Sequence, residues 1–247
     1  MKKKTACIVR LKAVTVLIGI IFLLSGCLYP EKNLSENQIP YKDQIQAVQT
    51  AVDQFREDGG GILPIKTKDA ETPIYHKYVI DFNKLTSKYM AEPPGNAYEM
   101  GGVFQYVLTD VEKNPTVKLF DIRISEAIQD LNTRLTIYRQ NNGYPPYKEQ
   151  LSKEVFTLDY KKLGLKEEPT VVSPFTGREL HFVIYTPDAQ LYVDYTPDLM
   201  KALQDRGEGV KTGDDIRRLL VDRSEFVPVH SLSYTIDKQK KPVFMKN

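Results

Sequence analysis

Leu24, Ser25, Gly26 and Cys27 are the residues whose types and spacing point most clearly to a chemical reaction. Cys27 and Cys7 carry the only thiols of the chain, and a thiolate is a nucleophile that can be alkylated. Small residues at the end of an apolar run are typical of the cleavage site of an export signal. The pattern therefore predicts that an export signal ends at these residues, beside the thiol of Cys27.

The segment before Cys27 has the layout of a secretory signal peptide. A basic stretch without acidic residues comes first, and an uncharged, mostly apolar run over residues 13–24 follows it. This run is shorter than the roughly 20 residues that a membrane-spanning helix needs. We therefore predict that residues 1–26 form a signal peptide that is cleaved rather than retained.

Leu24-Ser25-Gly26-Cys27 resembles the lipobox of bacterial lipoproteins. The resemblance implies that Cys27 carries an S-diacylglycerol group and, after cleavage, an N-acyl (palmitoyl) group. Two or more acyl chains hold a protein stably on a bilayer, whereas one chain alone holds it only marginally. The implied location is the cell membrane, with the protein lipid-anchored on the extracytoplasmic face. The only partner that this resemblance specifies is the membrane, which the lipid on Cys27 would bind.

The charge and cysteine content of the predicted mature chain argue against nucleic-acid binding and against disulfide bonds. The full chain has 34 Lys and Arg against 32 Asp and Glu, but five of the basic residues lie in residues 1–26. The mature part therefore carries a net charge of −3, which does not indicate a nucleic-acid partner, because phosphate binding needs clustered basic residues. With Cys7 removed and Cys27 acylated, no disulfide is expected.

The rest of the chain divides into segments by composition. Residues 27–40 lack apolar periodicity and are predicted to be a flexible tether that spans roughly 20 Å. A first module is predicted over residues 41–121, a second over 122–206, and a C-terminal helix and β-hairpin extension over 207–247. The expected fold class is α+β, in which each module packs a long helix on a small antiparallel hairpin sheet.

The two modules are proposed to be repeats of each other. Each begins with a helix-like stretch of apolar residues three and four apart, which ends in a glycine-containing turn. Each continues with an Asp-aromatic-x-Lys-Leu phrase, at residues 81–85 and 159–163. Two stretches with alternating apolar residues follow in each copy, over residues 104–119 and 180–193, and they predict a hairpin whose apolar face covers the preceding helix.

The second copy resembles the globular heads of type IV pilins and type II secretion pseudopilins. The resemblance rests on a helix that ends at residues 142–145 and on the Ser173-Pro174-Phe175-Thr176-Gly177 loop before two strands. The family's prepilin cleavage site and continuous apolar assembly helix are replaced here by the lipobox. The resemblance therefore implies a fold and not assembly into a fibre.

Beyond these modules, Thr196-Pro197-Asp198 predicts a helix start that continues through Leu199 and Leu203. A further helix is predicted from Thr212 through Ile216 to Leu220. The tail over residues 227–245 is expected to form strands around a polar turn.

Catalytic and metal-binding patterns are sparse. The chain contains neither a G-x-S-x-G elbow nor an H-E-x-x-H motif. Its three histidines, His76, His181 and His230, are far apart in sequence and could meet only through folding, so we assign no metal ligands, no cofactor and no catalytic residues. Asp188, Asp194 and Asp198 are alternatives for a calcium site, because oxygen ligands suit Ca²⁺ and some pseudopilin heads hold calcium near an equivalent loop.

The whole pattern resembles uncharacterised membrane lipoproteins of Bacillus-type bacteria. We therefore expect a non-enzymatic interaction or structural protein on the outer face of the membrane, with another envelope protein or the cell wall as its partner. The alternative that the residues leave open is a small-ligand or calcium-binding module on the cell surface.

Overall fold

The first long helix, α1 (Tyr41–Asp58), begins the part of the chain that the structure describes. The structure is a computed structural model, and it describes residues 41–206 and 209–245. One face of this helix is buried in the protein, and Val48, Ala51 and Val52 on it are at most 1% exposed. The helix ends in a glycine turn in which Gly60 and Gly61 have positive φ, a conformation that only glycine adopts without strain.

A four-residue helix, α2 (Ile74–Lys77), and a first hairpin follow. The hairpin pairs β1 (Phe104–Thr109) with β2 (Thr116–Asp121) in antiparallel register. Short 3₁₀ turns lie at Phe82–Lys84 and Tyr98–Met100. The backbone after α2 extends the hairpin, because Ile80 donates to Tyr106 and Leu108 donates to Tyr78.

The second long helix, α3 (Ile122–Asn142), begins directly after β2. The carboxylate of Asp121 accepts the backbone N–H of Arg123 and so caps the first turn. Gly143, with a φ of 80°, ends the helix in the left-handed conformation. One face of α3 buries Ile124, Ile128, Leu131 and Leu135.

A five-stranded antiparallel sheet is built around β6 (Glu179–Tyr185). One edge of β6 pairs with β7 (Gln190–Val193), and the other pairs with β4 (Val155–Leu158) and β5 (Thr170–Val172) at different positions along its length. The outermost strand, β3 (Tyr147–Gln150), pairs with β4, and a 3₁₀ turn follows at Tyr160–Leu163. Helix α3 packs against β5 and β7.

The C-terminal part consists of α4 (Thr196–Arg206), α5 (Arg218–Val221) and a hairpin of β8 (Tyr234–Ile236) with β9 (Pro242–Phe244). The prediction of a helix starting at Thr212 is wrong in its extent. The residues before Arg218 form turns, in which the Asp214 and Asp215 carboxylates accept nearby backbone N–H groups. Such bonds compete with a regular helix.

The described chain is a mixture of helices and several small antiparallel sheets, which confirms the α+β class. From Lys42 onward it forms one compact unit, and a single hydrophobic cluster includes residues of both proposed modules and of the C-terminal extension. The module boundaries stay predictions. Among the described helices, none has both the length and the apolar character required to cross a bilayer.

Candidate functional site

A cavity of about 670 Å³, which we name the outer groove, lies between α2, the β1–β2 turn and α5. Ile74, Tyr75 and Tyr78 form an apolar and aromatic wall, and Asp110 and Arg218 lie on the opposite rim. Ile74 is 57% exposed although it is a large apolar residue. The groove thus combines an accessible apolar anchor with a charged rim.

Several charges on this rim are held in ion pairs. The Arg218 guanidinium lies 3.2 Å from the Asp110 carboxylate and 3.5 Å from that of Asp222. The neighbouring Arg217 binds Asp215 and lies over the ring of Tyr75, at 5.3 Å from its centroid. Burial raises the pKa of Tyr75 to about 12, so its hydroxyl stays protonated at neutral pH.

A second, smaller cavity of about 300 Å³ also lies against α2, and we name it the histidine cavity. His76 and His230 both line it, with ring centroids 4.6 Å apart in an edge-to-face arrangement. The backbone N–H of His230 donates to Nε2 of His76 at 3.2 Å. Oγ of Ser125 lies 2.7 Å from Nε2 of His230. Ile74 and Tyr75 line both cavities, so each cavity lies against α2.

The two histidines are neutral at neutral pH. Burial lowers the pKa of each to about 4, and Lys68 acts in the same direction on His76 while His76 does so on His230. Because Nε2 of His76 accepts a hydrogen bond, its single ring proton lies on Nδ1. His230 has a φ of 50°, a conformation that costs a non-glycine residue energy and that must be maintained by these contacts.

Ser125 and His230 have the spacing of a serine–histidine catalytic pair. In known triads a carboxylate orients the histidine, whereas the contacts shown for His230 are with Ser125, His76 and the ring of Phe120. The geometry thus shows Ser125 as a hydrogen-bond partner of His230. In the described ranges, no group of three or more His, Cys, Asp or Glu residues is placed to hold a metal ion.

The three aspartates proposed as calcium ligands are used separately. Asp188 accepts the Tyr192 hydroxyl at 2.6 Å, and Asp194 accepts the Tyr234 hydroxyl at 3.0 Å. Asp198 is buried, and its carboxylate accepts the hydroxyls of Ser173 and Thr176. Burial raises the pKa of Asp198, and the two hydroxyls oppose that shift. Each carboxylate therefore stabilises a local structure.

Of the three histidines, His76 and His230 come together, and His181 lies apart from them on the exposed side of β6 beside Glu168. Cys27 lies outside the described residues. No sequence pattern indicates that Ser125 joins the histidine pair, since 105 residues separate it from His230. The sequence also gives no signal that Ile74 and Tyr75 line a cavity, because a four-residue helix has too few residues to show a periodic pattern.

The arrangement defines an α+β protein with two cavities that share the wall formed by one short helix. Residues 41–121 match the model of the YphF family N-terminal domain, and these bounds coincide with those of the proposed first module. The match supports a relationship with the YphF family for this part of the chain. No curated protein and no solved structure matches the chain.

Proposed function

We propose that this chain is a lipid-anchored protein of the YphF type on the outer face of the cell membrane, where it binds another envelope protein without catalysing a reaction. The observation that carries the binding function is the outer groove. It offers an exposed apolar anchor, Ile74, and two tyrosines beside a rim of paired charges. Apolar and aromatic anchors inside a polar rim are typical of protein interfaces.

The proposed location rests on the sequence before residue 41. A basic stretch, a short apolar run and Leu24-Ser25-Gly26-Cys27 support export, cleavage and acylation at Cys27. The tether over residues 27–40 then places the folded part near the bilayer surface.

We also infer that the two modules arose by duplication of a pilin-head-like unit. Both Asp-aromatic-x-Lys-Leu phrases include a 3₁₀ turn, at Phe82–Lys84 and at Tyr160–Leu163. In both, the aspartate forms an ion pair with the lysine three residues later, and the final leucine is buried. The shared phrase thus has a shared local structure.

The binding role of the outer groove is tested by replacing its exposed apolar anchor. With a photoreactive amino acid at Glu112 on the groove rim, we expect a specific crosslinked envelope protein in living cells. Ile74→Glu should reduce that crosslink about tenfold or more, because burying an isoleucine contributes about 1.5–3 kcal/mol.

Ile62→Glu provides the matched control. Ile62 is 67% exposed and does not line either cavity, so the crosslink should persist in this variant. Absence of any specific crosslink, or equal loss in both variants, would contradict binding through the outer groove.

The alternative function is a small-ligand or calcium-binding module. The histidine cavity favours the small-ligand version, because Asn132, Gln190 and Tyr192 add polar groups to its wall.

Calcium is tested directly by thermal unfolding of the full chain. A ligand that binds only the native state must raise the melting temperature. We expect no rise in millimolar Ca²⁺, because the three candidate aspartates are occupied by internal hydrogen bonds, and a rise of several degrees would favour the calcium-binding alternative.

A further inference from the structure

Helix α2 is held in place chiefly by side-chain contacts. A helix of four residues is not stable alone, because one turn fixes several backbone angles for a single hydrogen bond. Ile74 is exposed, and Tyr75, His76 and Lys77 are only partly buried. The side chains of α2 reach the rest of the protein at several points: His76 contacts His230 and Phe120, Tyr75 packs against the hydrophobic cluster beneath Arg217, and Lys77 donates to the carbonyl of Ala70. The histidine contact is therefore one of the few interactions that fix the position of α2.

The histidine contact requires an unprotonated ring. Nε2 of His76 accepts the N–H of His230, and an imidazolium has N–H donors at both nitrogens. A proton on Nε2 would place two donors face to face. Protonation of His230 would add a second positive charge, with ring centroids only 4.6 Å apart.

Within the described part of the chain, no residue that lines the histidine cavity carries a negative charge to stabilise a protonated pair. From α3, Ser125 faces His230, and from β2, Phe120 faces both rings. The charged side chain in the cavity wall is Arg217, and Lys68 adds a further positive charge near His76.

The other titratable groups around the cavity do not change this balance. Tyr75 and Tyr192 line the cavity as neutral groups. The aspartates that contact lining residues are already engaged, Asp188 with the Tyr192 hydroxyl and Asp215 with Arg217. Protonation of the histidines would therefore add positive charge that the surroundings do not offset.

We propose that α2 is a proton-released latch: it separates the outer groove from the histidine cavity at neutral pH, and it moves away when His76 and His230 take up protons in mild acid. Opening would join the two cavities, because Ile74 and Tyr75 form part of the wall of each. The latch is a property of the fold, and it does not depend on the binding function proposed above.

The size of the effect follows from proton linkage. In the closed state each histidine has a pKa of about 4, and a released ring returns to its ordinary value of 6.5. Protons therefore bind the open state more tightly, and stability of the closed state is lost as the pH falls below 6.5. At pH 5 the linkage favours opening by roughly 30-fold for each ring, and at pH 7 by less than about twofold.

The test is amide hydrogen exchange of the full chain, measured by NMR at pH 7 and pH 5 and corrected for intrinsic exchange rates. The backbone amides of His76 and His230 report on α2 directly, because they donate to Pro73 and to the His76 ring. We expect their protection to fall by at least tenfold at pH 5, while amides of β6 stay protected. Unchanged protection, or loss in β6 to the same extent, would overturn the proposal.

Two variants separate the histidines from other titrating groups. His76→Gln keeps a side-chain acceptor, and His230→Asn suits the positive φ at that position. The double variant should show the same corrected protection at pH 7 and pH 5, whereas His181→Gln should behave like the unmodified chain. A pH response that persists in a folded double variant would also overturn the proposal. If the double variant does not fold, the comparison of pH 7 with pH 5 in the unmodified chain decides alone.

Discussion

Replacing Cys27 with serine is expected to abolish lipid anchoring. A serine hydroxyl does not form the thioether that links the proposed diacylglycerol group, so the variant should incorporate no palmitate, and any chain whose signal peptide is removed should be secreted. The effect is large because each buried methylene contributes about 0.8 kcal/mol, and two chains together make anchoring stable. Labelling with a palmitate analogue, together with fractionation of cells, measures both consequences.

Cys7→Ser is the control for this experiment, since Cys7 is the only other cysteine of the chain. It lies in the predicted signal peptide and should leave both labelling and membrane retention unchanged. Mass spectrometry of the native protein gives an independent check. An intact residue 1, or an unmodified cysteine at the mature N-terminus, would contradict the lipoprotein assignment.

Replacing Asp198 with alanine is expected to lower the free energy of unfolding by about 2–3 kcal/mol. The carboxylate is 1% exposed and accepts the Ser173 hydroxyl at 2.8 Å and the Thr176 hydroxyl at 2.6 Å. Its removal leaves two donors without an acceptor beside α4, and each unsatisfied buried donor costs about 1–3 kcal/mol. Relief of the desolvation that raises the pKa of Asp198 offsets part of this loss.

Urea-induced unfolding at pH 7 measures this difference. Asp198→Asn retains one acceptor oxygen and should be affected about half as strongly. Asp188→Ala serves as the matched control. Like Asp198, Asp188 accepts two hydrogen bonds, in its case from a tyrosine hydroxyl and a backbone N–H, but it is exposed. Its effect should stay below about 1 kcal/mol. Equal effects at the two aspartates would contradict the structural role assigned to Asp198.

The long helices and the main hairpins can be predicted because their patterns are local. The apolar spacing over α1 and α3 and the glycine turns after them are properties of consecutive residues. The alternating apolar residues of β1, β6 and β7 are likewise a local pattern, although Val107 and Val183 are buried on the opposite face. The strands of the C-terminal hairpin also lie, as expected, on either side of their polar turn.

The short elements could not be predicted, because their structure is determined by distant partners. Strand β3 has the sequence Tyr-Lys-Glu-Gln, which shows no alternating apolar pattern, and it forms by pairing with β4. The histidine pair depends on two residues that are 154 positions apart. No spacing rule connects residues at that distance, so only the folded chain shows the candidate site.

The outer edge of β2 has a consequence for how the protein is made. Leu119 exchanges backbone hydrogen bonds with Glu225 and Val227, and the Lys118 ammonium donates to the carbonyl of Ser224, 106 residues away. A polypeptide exported with its amino terminus first would expose this strand before those partners have left the translocation channel. During that interval the unpaired edge is open to aggregation and to surface proteases. If the chain is exported in this way, the pairing of β2 is completed only when residues 224–227 arrive.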